Sequence, residues 1–296
     1  MKTLPIIEQH FHGAYGVDFN KCSVKDVVDL SSKLRKIGIG GFFPTLVTDS
    51  YENTRKQINV IKEAAQKCSG ILGIHLEGIF INLEKKGIHN ADQFLEPTVE
   101  NYKKLEDDFI KIVTLAPELD KGLINYLKSK GVKVQAGHCA GWGDVDGVTH
   151  TFNAMSPITH RGVSTALKAL VDDNVYAEII ADGIHVSDDA LKLFMRSKPK
   201  DKVLLVSDAL PITYSDLTES EFAGSTIYYD GEKATSKKGT LAGSTKLLPE
   251  IIKILAKKGL FNPEYIENSY KYHSIKPFGS VEWDSEFNVK KIDYYT

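Results

Sequence analysis

Eight short apolar or β-branched runs, separated by amphipathic stretches, constrain this chain more than any other feature. They fall near residues 5–10 (PIIEQH), 40–47 (GGFFPTLV), 71–77 (ILGIHLE), 109–115 (FIKIVTL), 132–138 (VKVQAGH), 147–151 (GVTHT), 175–181 (VYAEIIA) and 202–207 (KVLLVS). Runs of this length read as strands, and their alternation with helical patterns is the signature of repeated βα units and a parallel sheet. Helical periodicity fits most of the seven intervals, for example SVKDVVDLSSKLRKIG at 23–38 with Ser23 as N-cap, and likewise 51–68 and 119–131. Eight strands in about 210 residues predict an α/β fold, a (β/α)8 TIM-like barrel, with a doubly wound open sheet as the competing arrangement.

Past the eighth run the pattern changes. Residues 222–243 predict a hairpin turning at Asp230-Gly231, and two helical segments follow at about 245–258 and 263–271. No repeat, low-complexity tract or interdomain linker interrupts the chain. The expectation is therefore one domain over residues 1–296, with the barrel at about 5–272 and an irregular tail at 273–296. A chain of 296 residues, 42% hydrophobic, can bury a core of that size.

The residues able to do chemistry cluster at the C-terminal ends of these runs: the His10/His12 pair, Glu77, His138, His150, His185 and Asp208. A closed parallel barrel brings those ends to one mouth, so residues far apart in sequence meet there. Period-2 alternation puts His10 and His12 on one side of their strand, offering two nitrogen ligands. Alone, each residue has a bland reading: a chance His-x-His, a capping or salt-bridging Glu77, a rim histidine at 138 or 150. Together, imidazoles from several strands with an acid from another form the ligand set of zinc or a similar divalent ion. Asp208, the single acid at the mouth of its own apolar run, is placed to take a proton from an attacking water and pass it to a leaving amine. His185 could donate a hydrogen bond to a substrate oxygen. Asp182, just before it, reads as a turn residue or a support behind the site rather than as a ligand.

Charge and cysteine content narrow the remaining classes. A net charge of −2 gives no footprint for nucleic acid, which asks for a clearly basic face. A small-molecule substrate fits better. Arginine occurs only at Arg35, Arg55, Arg161 and Arg196, so the one inside a motif, Arg161, is informative. Cys22, Cys68 and Cys139 are odd in number and lack CxxC spacing, which argues against a disulfide framework and for a reducing compartment. No stretch approaches the roughly 18 apolar residues of a membrane span, and the N-terminus lacks the form of a signal peptide. A soluble, cytoplasmic protein is expected.

In order, HFHG at 10–13, GIHLEGIFINLEKKGIHN at 73–90, LAPE at 115–118, AGHCAG at 136–141, THTFNAMSPITHR at 149–161, IIADGIHV at 179–186, LVSDA at 205–209 and GTLAGS at 239–244 resemble the N-acetylglucosamine-6-phosphate deacetylases of the amidohydrolase superfamily. The resemblance implies a metal-dependent hydrolase that removes the acetyl group from an N-acetylated amino sugar phosphate. It implies that Glu77, His138 and His150 hold one ion. A second ion would lie between His10, His12, Asp208 and a bridging Glu77. One or two divalent ions are thus expected, zinc foremost, with iron or manganese compatible. It implies Asp208 as general acid/base and His185 as the group that orients the substrate or polarises its amide carbonyl. Asn153 and Ala154 would meet the phosphate, Arg161 would pair with it across a homodimer interface, His89 would reach the sugar ring, and Leu241 would pack near the acetyl methyl.

Departures lie away from the ligand set. Relatives carry some fifty residues before the His-x-His strand that pair with C-terminal strands in a small β-sandwich, so that side domain is expected to be missing here. Ile79 stands where proline is common, and His160 precedes Arg161 where glycine is common. The alternatives are an amidohydrolase for another N-acetyl compound, such as a galactosamine phosphate or a nucleotide-linked amino sugar, and a barrel that binds metal without turnover. Retention of Asp208 and of every candidate ligand argues against the latter.

Overall fold

Each barrel strand begins and ends within about three residues of the run that predicts it. The structure, a computed structural model, describes residues 1–295. The strands are β1 (Ile6–Phe11), β2 (Ile39–Leu46), β3 (Ile74–Glu77), β4 (Ile110–Leu115), β5 (Lys133–Ala136), β6 (Gly147–Val148), β7 (Tyr176–Ile180) and β8 (Val203–Val206). They pair in parallel in sequence order from β1 to β8. Hydrogen bonds just past β8 join it to β1: Asp208 N–H donates to the His10 carbonyl at 2.8 Å and His12 N–H to the Ala209 carbonyl at 2.8 Å. The arrangement is thus the barrel rather than the open sheet.

Helices form where caps and apolar stripes coincide. In the helix Val24–Lys36, Ser23 and Asp26 make a reciprocal capping box, and Val27, Leu30, Ser31 and Leu34 form the buried stripe at helical spacing. Ser50 caps the helix Tyr51–Ala65 through Asn53 N–H. Between β5 and β6 the chain crosses without a helix. The helix Glu264–His273 closes the end of the barrel where strands begin: Tyr270 donates to the Pro5 carbonyl at 2.7 Å and Asn268 to the Val203 carbonyl at 2.8 Å.

Two segments depart from expectation. The 222–243 hairpin is a three-stranded meander, Glu219–Phe222, Ser225–Tyr229 and Ala234–Ser236. Asp230-Gly231 turns as expected, but a second turn at Ala223-Gly224 (φ 50° and 76°) adds a strand. Alanine is an unusual occupant of that left-handed position, so the turn carried no signal.

The tail from 273, expected to be irregular, is ordered. Gly279–Trp283 and Val289–Tyr294 pair antiparallel, and Lys2–Thr3 joins them as a third strand. Buried Val281 and Trp283 alternate with partly exposed Glu282 and pack into the same core as the barrel. The Asp284 carboxylate accepts from Glu286 and Asn288 N–H to form the turn. The partner strand lies at the other end of the sequence, so the tail read alone shows only short, weak strands. Thr296 lies outside the described residues.

Candidate functional site

Register brings the expected ligand residues together. His10 lies within β1, Glu77 ends β3, and His138, His150 and Asp208 each follow their strand by two residues. Those three turn sharply inward, with φ of 48°, 28° and 53°. Left-handed backbone at non-glycine residues is strained, and here it aims three side chains at one point.

Glu77 is the centre, and its two oxygens face different partners. Oε1 lies 3.2 Å from His138 Nε2 and 3.0 Å from His150 Nε2, which are 3.1 Å apart. Oε2 lies 3.3 Å from His10 Nε2 and 3.1 Å from His12 Nε2, and Asp208 Oδ1 is 3.1 Å from the latter. All of these side chains are buried.

Their hydrogen bonds decide which atoms face inward. His138 Nδ1 donates to the Lys85 carbonyl at 2.8 Å, His12 Nδ1 to the Thr45 carbonyl at 3.2 Å, and His10 Nδ1 to the Glu178 carboxylate at 2.9 Å. These acceptors carry no proton of their own, so each Nδ1 bears a hydrogen and each Nε2 is the atom turned toward Glu77, free to take an ion or, without one, a proton. His10 Nε2 is buried with no hydrogen-bond partner. Converging lone pairs and carboxylates need cations between them. Ligand atoms about 3.4 Å apart are the edges of a tetrahedron around an ion bound at about 2.1 Å, so the spacing fits. His10, His12, Glu77 and Asp208 could hold one ion; Glu77 and His138 could hold another with His150, whose Nε2 is 3.0 Å from Glu77 Oε1, and His89 also comes within ligand reach of that pair.

The titration of the cluster agrees. Burial opposes charge on His12, but its bonds to Asp208 and Glu77 outweigh that and push it up to about 9. Burial likewise works against the Glu77 carboxylate, yet the charge of His10 and hydrogen bonds from His12 and His138 hold it well below the usual range. Protons thus occupy the position a cation would take, and ion binding would expel them.

The ligands floor a cavity of about 370 Å³. Of the residues expected at its substrate end, His89, Asn153, Ala154, His185 and Leu241 line it. His89 is nearer the ligands than expected: its Nε2 is 3.9 Å from Glu77 Oε2 and its ring centroid 4.5 Å from that of His138. Thr48 Oγ1 lies 2.8 Å from His89 Nδ1 and accepts from Ile79 N–H at 2.8 Å. Ile79 has φ 61°, and a proline at this position could supply neither that angle nor that donor. At Gly78 a β-carbon would sit 2.0 Å from Thr48 Oγ1, so only glycine fits.

His185 faces an acceptor on each side, Asp182 Oδ2 at 2.8 Å and the Ala242 carbonyl at 2.7 Å, and so carries both protons. Burial opposes that charge, while the Asp182 hydrogen bond and charge raise His185 above its usual range. Asp182 also caps Ile184 and His185 N–H, the turn-and-support role expected of it. Arg161 is not brought in. It lies on the exposed stretch 157–163 and does not line the cavity of its own chain.

Sequence reasoning missed Phe222, whose ring packs edge-on at 5.0 Å from His12, and Glu178 behind His10. Phe222 comes from the unforeseen strand of the meander. Glu178 did leave a signal, a lone acid in an apolar strand, but at mid-strand rather than past the strand end where Asp208 lies.

No protein-family model matches the chain. The chain is 34% identical to the N-acetylglucosamine-6-phosphate deacetylase of Bacillus subtilis over 81% of its own length and 65% of the relative's. It is 30% identical to the N-acetylglucosamine-6-phosphate deacetylase of Caenorhabditis elegans, over 85% of its length and 67% of the relative's. It thus spans somewhat less than two thirds of the first of these. The crystal structure of N-acetylglucosamine-6-phosphate deacetylase from Pasteurella multocida matches 99% of this chain and 85% of that one, with a TM-score of 0.91 at 26% identity.

Proposed function

Because this chain belongs to the N-acetylglucosamine-6-phosphate deacetylase family, we propose that it hydrolyses the acetamide of N-acetylglucosamine 6-phosphate to glucosamine 6-phosphate and acetate. The observation that carries this reading is Glu77, whose two oxygens face two separate groups of imidazole nitrogens with Asp208 beside one of them. His138, His150 and Glu77 would hold one ion, and His10, His12, Asp208 and the shared Glu77 a second. Mixed imidazole and carboxylate donors suit zinc first, with iron and manganese compatible. When bound, such ions supply Lewis-acid polarisation and an activated water.

The chain's own groups do the rest. Asp208 borders the cavity and carries no proton, since its hydrogen bond to His12 and the nearby imidazole charges outweigh burial and lower its pKa. It accepts the proton of the attacking water and returns it to the departing amine nitrogen. His185 Nε2–H, released from the Ala242 carbonyl, donates to the substrate carbonyl oxygen as negative charge grows there. Leu241 packs the acetyl methyl, His89 meets a ring hydroxyl, and Asn153 with Ala154 N–H receives the phosphate. Arg161, outside its own cavity, serves the phosphate in a second copy of the chain, so the working unit is a homodimer.

Acetate release by metal-loaded protein tests the proposal, using N-acetylglucosamine 6-phosphate, its galactosamine epimer, both unphosphorylated sugars and a nucleotide-linked N-acetyl sugar. Turnover is expected on the glucosamine 6-phosphate, with kcat falling about 10²–10⁴-fold in Asp208→Asn. Turnover of only an unphosphorylated or nucleotide-linked sugar would sink the substrate assignment. An active Asp208→Asn would sink the proton path.

A further inference from the structure

Beneath the ligand layer, one carboxylate is wired to the metal cluster without touching the cavity. Glu178 lies mid-strand in β7 and is fully buried. Its Oε2 accepts from His10 Nδ1–H at 2.9 Å and from the backbone N–H of His150 at 3.2 Å, while its Oε1 accepts from Gln9 Nε2 at 2.6 Å. Gln9 Oε1 lies 3.0 Å from His273 Nε2, on the helix that closes the far end of the barrel. The three donors engage both carboxylate oxygens and so tie the group to His10, away from the cavity.

The four imidazoles assigned as ligands beside Glu77 are not supported alike. Neutral carbonyls back His138 and His12, and His150 Nδ1 has no partner. Among the four, His10 alone has a carboxylate behind it. An anionic acceptor fixes the tautomer and makes the opposite nitrogen a stronger donor, which counts most where a ligand must compete with protons for the ion.

We propose that Glu178 is a positioning residue that sets the affinity of the second ion, by locking His10 with its Nε2 lone pair toward Glu77 and Asp208. This rests on the two-ion reading of the site given above. In consequence, the ion between His138, His150 and Glu77 is largely indifferent to Glu178, whose bond there goes to backbone and not to an imidazole. The two ions therefore have separate supports even though they share Glu77.

The test is competition between metal-free protein and a chromophoric chelator for zinc, on wild type and Glu178→Gln, with a thermal melt of each metal-free protein. Wild type is expected to take up two equivalents. In Glu178→Gln the weaker equivalent should lose about 10–100-fold in affinity, the usual effect of removing an outer partner of a histidine ligand. The other equivalent should stay within a few-fold, and the melt should remain cooperative. Equal affinities in variant and wild type overturn the proposal alone, as does an equal loss at both sites. A single equivalent in wild type removes the two-ion reading and this proposal together. Should Glu178→Gln fail to fold, Glu178→Asp is read by the same criteria, since its shorter side chain withdraws from His10 while keeping the charge.

Discussion

The two ends of the cavity are built by opposite means. At the ligand end, His10, His12, Glu77, His138, His150 and Asp208 are buried and lie on strands or within two residues of one. Their positions follow from the hydrogen-bonded register of the barrel, and each has little room to be elsewhere. At the substrate end, His89, Asn153, Ala154, Leu241 and Phe222 come from loops and from the meander after β8, and Arg161 stands outside altogether. Under the proposed function this difference divides the labour: the frame would set the chemistry, and the loops would choose what is brought to it.

The sharpest way to break this division is at its shared centre. Glu77→Gln keeps the shape of the side chain but makes one of its two ends an amide donor, aimed at lone pairs that now accept from nothing else. Both ions should be lost, and kcat/KM should fall by more than about 10³-fold, beyond the about 10–100-fold of an outer-partner change. Metal content by elemental analysis, read beside kinetics, checks both. If the variant kept two ions, Glu77 would not be the bridge and the ligand end would have to be redrawn.

A smaller effect is expected at the other end. Arg161→Ala should raise KM for N-acetylglucosamine 6-phosphate about 10–100-fold through loss of a charge-assisted pair, leave kcat nearly unchanged, and spare the unphosphorylated sugar. Since Arg161 lies outside its own cavity, wild-type activity on the phosphate should also fall on dilution to monomer. Equal effects on both sugars would remove the phosphate role. Unchanged activity on dilution would remove the cross-subunit one.

The same division explains what could be read in the sequence. The ligand end was legible because a strand ends visibly, and a histidine or acid there has one destination in a barrel. Glu178 and Glu8 were overlooked although each interrupts an apolar run, because attention to strand ends passes over strand middles. That His89, Asn153, Ala154 and Leu241 line the cavity was signalled only by family resemblance. Nothing in local pattern says that Phe222 covers His12, or that Lys2–Thr3 pairs with Val281 and Glu282. Those contacts join segments whose positions depend on the whole fold, and Ala223 in a left-handed turn runs against the local preference that prediction relies on.

The smallest expected effect lies beneath the ligand end. Glu8 shares β1 with His10 and is as deeply buried, and the His10 charge offsets only a small part of the cost of that burial. Its Oε1 accepts from Ser207 N–H at 3.2 Å and its Oε2 has no partner. Burial pushes its carboxyl up to about 8 against the Ser207 bonds, so it stays neutral where Glu77 is charged. Between the ordinary value of 4.5 and about 8, the folded protein keeps a proton that the unfolded chain releases. Its stabilising effect is therefore complete below the lower value and is lost as pH rises through the upper one. Glu8→Gln is neutral throughout. In metal-free protein the Tm of the variant minus that of wild type should climb by about a few °C from pH 5 to pH 8.5. The histidines are present in both proteins, so the difference reads the Glu8 proton together with its coupling to His10. An offset that stays flat over that range would mean that Glu8 is charged inside the barrel, and that the strand face carrying the ligands is supplied with positive charge deeper than Glu77.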